Sequence, residues 1–179
     1  TFNGCSSLLS VIIPSSVKSI GYSSFAKCSS LLILELPSSI TEISESSFVE
    51  CSSLKSVEFR SSTTKISEQV FRDCSSLTKI ILPSSLEFIS GSLLENCNSL
   101  TEITIPSTVT AIYGNAFSNC KSLKSLEIPS SVTTIGDYVL SGCSSLAKIE
   151  IPSSVIDIGE SVCRDCTSLI EAKLPSSIT

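Results

Sequence analysis

The chain has 179 residues, 41% of them apolar and 16% charged, and it contains nine Cys but no His, Met or Trp. This apolar content excludes a disordered chain, the net charge of −5 argues against a nucleic-acid partner, and the absence of His removes the commonest general base and metal ligand. No uninterrupted apolar run approaches the roughly 20 residues that span a bilayer, so the sequence predicts no membrane insertion.

The cysteines reveal an internal repeat. Cys163 stands alone, whereas the other eight recur every 23 residues, at Cys5, Cys28, Cys51, Cys74, Cys97, Cys120, Cys143 and Cys166. The sequence therefore predicts a single solenoid domain over residues 1–179, with seven complete repeats (5–165) and partial repeats at both ends (1–4 and 166–179). Because both ends fall inside a repeat, we expect a fragment of a longer protein that lacks terminal caps and can self-associate through its uncapped ends.

Each repeat, counted from its Cys as position 1, begins with a short predicted strand. Apolar residues at positions 7 and 9 alternate with polar neighbours, as at Ile103 and Ile105, which is typical of a strand with one buried face. Pro follows at position 10 in every repeat but the third, where Arg60 stands, and its missing N–H ends a strand ladder. The Ser-Ser or Ser-Thr pair after it is expected to bond the backbone of a turn.

The rest of the repeat contains a second apolar pair and a compact return to the next Cys. Val109 and Ile112, at positions 13 and 16, predict another short extended stretch, and Ala116 and Phe117 predict a short turn or one turn of 3-10 helix. The cysteines occupy an apolar position, so we expect buried, free thiols. Thiols stacked on parallel coils have near-parallel Cβ vectors, which suit disulfide geometry poorly.

The pattern Cys-Ser-Ser-Leu-x-x-Ile-x-Ile-Pro-Ser-Ser-Val-x-x-Ile-Gly-x-x-Ala-Phe resembles the BspA-type leucine-rich repeat, a 23-residue variety found in surface proteins of bacteria and parasitic protists. Length, Pro, Ile-Gly, Phe and Cys recur together along the whole chain. The resemblance implies a right-handed leucine-rich-repeat solenoid with a parallel β-sheet, an α/β repeat that is mainly β in content. It also implies a role in adhesion or other protein recognition, and no catalytic site.

The departures from this pattern are local. In the third repeat Arg60 replaces Pro and Thr63 replaces Val, and four residues stand where Gly is usual: Ser44, Ser67, Ser90 and Tyr113. We expect these changes to alter loop geometry and to leave the fold intact. One repeat buries too little apolar surface to offset the entropy lost by its backbone, so stacking of neighbouring coils must stabilise every one of them.

Two chemical interpretations compete with a purely structural one. Cys163 and Cys166 form a Cys-x-x-Cys, but Cys163 occupies the Phe position and no second pair completes a metal site, so we predict neither redox chemistry nor metal binding there. Carboxylates share position 8 of adjacent coils, and paired carboxylates about one strand spacing apart are typical of a retaining glycosidase. The pairs are Glu35 with Glu58 and Glu127 with Glu150. Acidic residues at an outward position normally form a solvated face, so we predict no enzyme and no cofactor.

The outward strand positions 6 and 8 vary while the core positions stay constant, so a ligand is expected to be recognised there. The candidate partner-binding residues are Leu9, Ile12, Leu32, Ile33, Glu35, Glu58, Lys79, Ile81, Glu102, Thr104, Glu127, Lys148 and Glu150. The first four form an exposed apolar group, which either marks a contact surface or packs against a cap or a neighbouring copy. Both interpretations stay open.

The sequence thus predicts a non-catalytic macromolecule-binding module of a cell-surface or secreted adhesin. Its expected partner is a protein, such as an extracellular-matrix or cell-surface protein. The alternative is a cytoplasmic scaffold or sensor module built from the same repeats.

Overall fold

Two short strands occur in five of the seven complete coils of the computed structural model, which describes residues 1–59 and 63–176. The coils that begin at Cys97 and Cys120 form only the second strand, so the strand predicted around Ile103 is not formed, although Ile103 and Ile105 are buried there. The strands of the first set are Ser10–Ile12 (β1), Ile33–Glu35 (β3), Ser56–Glu58 (β5), Lys79–Ile81 (β7), Lys148–Glu150 (β11) and Glu171–Lys173 (β13). The strands of the second set are Ser19–Ile20 (β2), Glu42–Ile43 (β4), Lys65–Ile66 (β6), Phe88–Ile89 (β8), Ala111–Ile112 (β9), Thr134–Ile135 (β10) and Asp157–Ile158 (β12). All paired strands are parallel, which confirms the predicted solenoid, and the described residues form no helix.

The repeat length sets the strand register. Residues 23 apart lie side by side, as Val11 beside Leu34 and Ile43 beside Ile66. In the second set the ladder runs through β2-β4-β6 and through β8-β9-β10-β12, whereas the first set forms three separate pairs, β1-β3, β5-β7 and β11-β13. The side of the solenoid that carries the first set is therefore less continuously hydrogen bonded than the side that carries the second.

The return from the second strand to the next Cys consists of turns. The predicted turns are confirmed, and none of the described residues is in a 3-10 helix. This segment forms turns and not a helix because φ is positive at positions 19 and 23, as at Ser23 (47°) and Lys27 (60°). These turns present N–H groups to the next coil: Phe25 N–H donates to the Ser47 carbonyl oxygen at 2.8 Å, and Lys27 N–H donates to that of Val49 at 2.8 Å.

Phenylalanine rings form a column through the core at position 21. Phe25, Phe48 and Phe71 are buried, and each ring stacks on the next, with centroids 5.3 Å and then 5.6 Å apart. Phe59 adds an edge-to-face contact with Phe71 at 5.9 Å. Position 21 therefore faces the core in these coils.

The cysteine column is free and largely buried, as predicted. Seven thiols are buried, Cys163 is half-buried and Cys5 is exposed. Each buried thiol also has a hydrogen-bonding role that the sequence did not reveal, because it donates to the carbonyl oxygen of the position-21 residue that lies 26 residues earlier in the chain. Examples are Cys51 to Phe25 at 3.2 Å and Cys97 to Phe71 at 3.3 Å. Burial raises the pKa of Cys51, and likewise that of Cys143, to about 12.

The hydroxyls after Pro join neighbouring coils. We expected them to bond their own turn, but at position 12 they donate to the position-13 carbonyl oxygen of the preceding coil, as Ser39 does to Val17 and Ser131 to Val109, both at 2.6 Å. Thr63 occupies a buried core position in the third coil, and its hydroxyl donates to the Ile40 carbonyl oxygen at 2.9 Å. The Pro-to-Arg60 replacement lies outside the described residues.

The thiol column supports a labelling prediction. In the native chain at neutral pH, a thiol-reactive dye is expected to modify Cys5 and Cys163 promptly and to modify all nine cysteines only after denaturation. Burial keeps the other seven protonated and out of contact with the reagent. Mass spectrometry of the labelled peptides identifies the modified positions. Prompt modification of Cys74 or Cys97, both fully buried, would contradict the packing of this column.

Candidate protein-binding face

The outward side chains of positions 6 and 8 lie on one surface, which we call the strand face. Strands β3, β5, β7 and β11 all show the order exposed, buried, exposed. The central residues, such as Val57 and Ile80, enter the core because a strand directs successive side chains to opposite sides. The predicted alternation is therefore confirmed for these strands.

All thirteen candidate residues are exposed. Eleven of them belong to the strand face, at positions 6 and 8: Ile12, Ile33, Glu35, Glu58, Lys79, Ile81, Glu102, Thr104, Glu127, Lys148 and Glu150. Leu9 and Leu32 occupy position 5 beside it, in adjacent coils, and Leu32 N–H donates to the Leu9 carbonyl oxygen at 2.9 Å. Their role in binding a partner stays a prediction.

Four of these residues form the N-terminal apolar cluster, defined as Leu9, Ile12, Leu32 and Ile33. Their exposed fractions are 60%, 86%, 43% and 56% in that order. Strand pairing places Ser10 beside Ile33 and Ile12 beside Glu35, so a carboxylate borders the apolar side chains. An apolar centre with a polar border is typical of protein interfaces.

Ion pairs occupy the opposite end of the strand face. The Lys148 ammonium lies 2.7 Å from the Glu171 carboxylate, and Lys173 lies 3.5 Å from Glu150. The hydrogen bond between Lys148 and Glu171 lowers the pKa of the carboxyl and raises that of the ammonium. Both groups are solvent-exposed, so salt screens this pairing and we assign it little stability.

The middle of the strand face carries carboxylates without such partners. Within residues 1–59 and 63–176, neither Glu102 nor Glu127 forms an ion pair with Lys or Arg. A shallow depression of about 720 Å³ lies here, lined in part by Lys79, Ile81, Glu102, Thr104 and Glu127. A second one, of about 650 Å³, adjoins it and includes Lys148 and Glu150.

The paired carboxylates show no feature of a catalytic site beyond their shared position. Glu35 and Glu58 lie on β3 and β5, which are neighbours in the stack but are not hydrogen bonded to each other, and both side chains are exposed. Glu150 pairs with Lys173. Among the described residues no group of three His, Cys, Asp or Glu side chains could hold a metal ion.

Two charged residues of the strand face are absent from the candidate partner-binding residues. Glu171 and Lys173 occupy positions 6 and 8 of the partial eighth repeat, and they provide the ion-pair partners of Lys148 and Glu150. The signal was present, because opposite charges 23 residues apart become cross-strand neighbours once the register is known.

Comparison with known proteins agrees with this architecture. The sequence profile of the BspA type leucine rich repeat region matches in six copies, over residues 1–124 and 92–179. The chain belongs to the BspA-type leucine-rich repeat family. Proteins with such repeats typically mediate protein–protein interactions. No curated protein matches the chain.

This BspA-type chain is similar to solved structures of leucine-rich repeat proteins from bacteria. A leucine-rich repeat protein of Treponema pallidum is 28% identical, with 90% of this chain and 78% of that one covered and a TM-score of 0.81. One from Bacteroides ovatus is 25% identical, with coverages of 99% and 63% and a TM-score of 0.69. A leucine-rich cell surface protein of Faecalibacterium prausnitzii is 28% identical, with coverages of 99% and 57% and a TM-score of 0.66. The chain thus spans less than two thirds of the Bacteroides and Faecalibacterium chains.

A search for membrane-spanning helices in the described part of this leucine-rich repeat chain finds none of sufficient length and apolar character.

Proposed function

We propose that the strand face binds a protein ligand and that this chain is the non-catalytic recognition part of a cell-surface or secreted adhesin. The observation that carries the proposal is the N-terminal apolar cluster, where Ile12 exposes 86% and Ile33 exposes 56% of their surface on paired strands. Exposed aliphatic side chains of this size cost free energy in water, and a partner that covers them recovers it.

The scaffold suits a partner that contacts several coils. Core side chains fix each strand from behind, so the outward side chains are held on a preformed surface and lose little conformational entropy on binding. The cluster supplies the apolar contacts in which binding energy concentrates, and the charged side chains of the strand face supply selectivity at its border.

Support for a surface location comes from the family. One similar structure, from Faecalibacterium prausnitzii, is described as a leucine-rich cell surface protein. The competing function is an intracellular interaction scaffold with the same repeats. Digestion of intact source cells with a protease that cannot enter them distinguishes the two, because only a surface protein is cleaved.

The binding test is a double substitution, Ile12→Ser with Ile33→Ser. We expect it to weaken binding to an extracellular-matrix or cell-surface protein ligand at least tenfold, because burying one Ile contributes about 1.5 to 3 kcal/mol and 1.4 kcal/mol corresponds to a tenfold change. The urea unfolding midpoint is expected to stay nearly constant, since neither side chain is buried. Ligands are first selected by binding the unmodified chain to a panel of such proteins.

The matched control is Ile156→Ser, which removes an Ile of comparable exposure, 76%, from a position outside the strand face. Binding that falls equally in the control, or stays unchanged in the double variant, would contradict the proposed site. If binding is unchanged, the next residues to substitute are the tyrosines in the segments that follow the second strands, Tyr22, Tyr113 and Tyr138. Loss of a dimer in the double variant, measured by light scattering, would instead identify a second copy of the chain as the occupant.

A further inference from the structure

Cys163 is an exception within the position-21 column. The other described coils carry Phe or Leu there, whereas this coil places a second sulfur three residues before the column thiol Cys166. A turn joins the two residues: Cys166 N–H donates to the Cys163 carbonyl oxygen at 3.3 Å, and Asp165 between them has φ of 58°. The two thiols are close enough for each to shift the pKa of the other.

This geometry differs from that of the rest of the thiol column. Successive column cysteines lie on different coils, and stacking on parallel coils aligns their Cβ vectors, which suits disulfide geometry poorly. Cys163 and Cys166 instead share one turn, which keeps their Cα atoms within about 7 Å, the range in which a disulfide closes without large backbone movement. Cys163 is also half-buried, whereas Cys166 is buried.

Although the sequence alone predicts no redox chemistry at this Cys-x-x-Cys, the turn geometry leads us to a different conclusion. We propose that Cys163 and Cys166 form a thiol–disulfide exchange site that reacts with low-molecular-weight disulfides. The Cys163 thiolate attacks one sulfur of the small disulfide, which forms a mixed disulfide and releases the first small thiolate. Cys166 then loses its proton to water and attacks the Cys163 sulfur, which releases the second small thiolate. Both released thiolates take up the protons that the protein loses, so the protein dithiol is oxidised by two electrons and the small disulfide is reduced to two thiols.

The environments of the two sulfurs agree with these roles. The neighbouring Cys166 thiol lowers the pKa of Cys163, and the neighbouring Cys163 thiol together with burial raises the pKa of Cys166. The attacking sulfur is therefore the more accessible and more readily ionised one. The Cys166 thiol donates to the Leu140 carbonyl oxygen at 3.2 Å, and disulfide formation breaks this weak hydrogen bond. The oxygen keeps a partner, because Cys143 N–H also donates to it at 3.1 Å.

The experiment exposes the fully reduced chain to excess oxidised glutathione, blocks the remaining thiols under denaturing conditions and digests the product with trypsin. Cleavage after Arg164 separates the two cysteines into peptides 149–164 and 165–173, each with one Cys. We expect these two peptides to be recovered as one disulfide-linked species that separates on reduction, with one such link per chain and seven cysteines outside it. Failure to recover the linked species after prolonged exposure would overturn the proposal.

Three controls assign the roles. Cys5 is exposed and has no second thiol in the same turn. We therefore expect its reaction with oxidised glutathione to end at the mixed disulfide. Cys166→Ala is expected to trap glutathione on Cys163. Cys163→Phe restores the residue found in most of the column, so it should fold, and it should leave Cys166 unmodified. Glutathione attached to Cys166 in the Cys163→Phe variant would contradict the assignment of Cys163 as the attacking thiol. A disulfide between Cys163 and Cys143 would contradict the assignment of Cys166 as the second thiol.

Discussion

Replacing Phe71 by Ala is expected to lower the free energy of unfolding by about 3 to 5 kcal/mol. The ring is fully buried between coils, with Phe48 stacked on it at 5.6 Å and the edge of Phe59 packed against it at 5.9 Å. The surrounding backbone is fixed by hydrogen bonds to both neighbouring coils, so it can collapse into the resulting cavity only in part. Urea unfolding followed by circular dichroism measures the loss.

The control is Phe2→Ala, at the same repeat position. Phe2 also stacks on a neighbour, Phe25, at 5.3 Å, but it exposes 47% of its surface. We therefore expect it to lose less than half as much stability as the Phe71 variant. Equal losses would show that the stacking contact, and not burial, dominates the contribution of this column.

Replacing Gly159 by Ala is expected to cost about 1 to 3 kcal/mol through overpacking. A Cβ on Gly159 would lie 2.5 Å from the Asp137 nitrogen and 2.5 Å from the Gly136 carbonyl carbon, both backbone atoms of the preceding coil. Its φ lies outside the left-handed region, so the loss comes from the contact between coils and not from backbone strain. Urea unfolding again provides the measurement.

Gly21→Ala is the matched control, since Gly21 occupies the same repeat position and an added Cβ would meet only the Ser24 hydroxyl, at 3.5 Å. We expect this variant to change stability by less than about 0.5 kcal/mol. Destabilisation of both variants to the same extent would indicate that the glycine is required for its own loop and not for the approach of the next coil.

The strands and the core could be predicted because the repeat superimposes equivalent residues. A 23-residue period fixes the register, so one alternating segment such as that around Ile103 predicts the inward and outward positions of its neighbours. The turns could not be predicted in detail. Lys27 and Glu50 adopt positive φ, although long charged side chains give no sequence signal for that conformation. Hydrogen bonds to the next coil hold them there, and these bonds depend on how the coils are offset.

The candidate site was predictable only as a surface. Outward positions follow from the alternation, but their residues form no motif, so no pattern identifies a ligand. The hydroxyl of Ser39 illustrates the same limit in the scaffold: its residue type suggests a turn, whereas its acceptor, the Val17 carbonyl oxygen, belongs to another coil. Sequence specifies the donor, and only the three-dimensional stack specifies the acceptor.

The inter-coil hydrogen bonds have a mechanical consequence. Every coil is held by its two neighbours and by nothing farther away, so tension applied to the two ends passes through the interfaces in series. A terminal coil has one interface, and it detaches first while the remainder stays folded. Each detached coil releases 23 residues, roughly 75 to 80 Å of extended chain. Under load, such a stack lengthens in steps of one repeat, and the proposed ligand would remain bound during the extension if it contacts coils that have not yet detached.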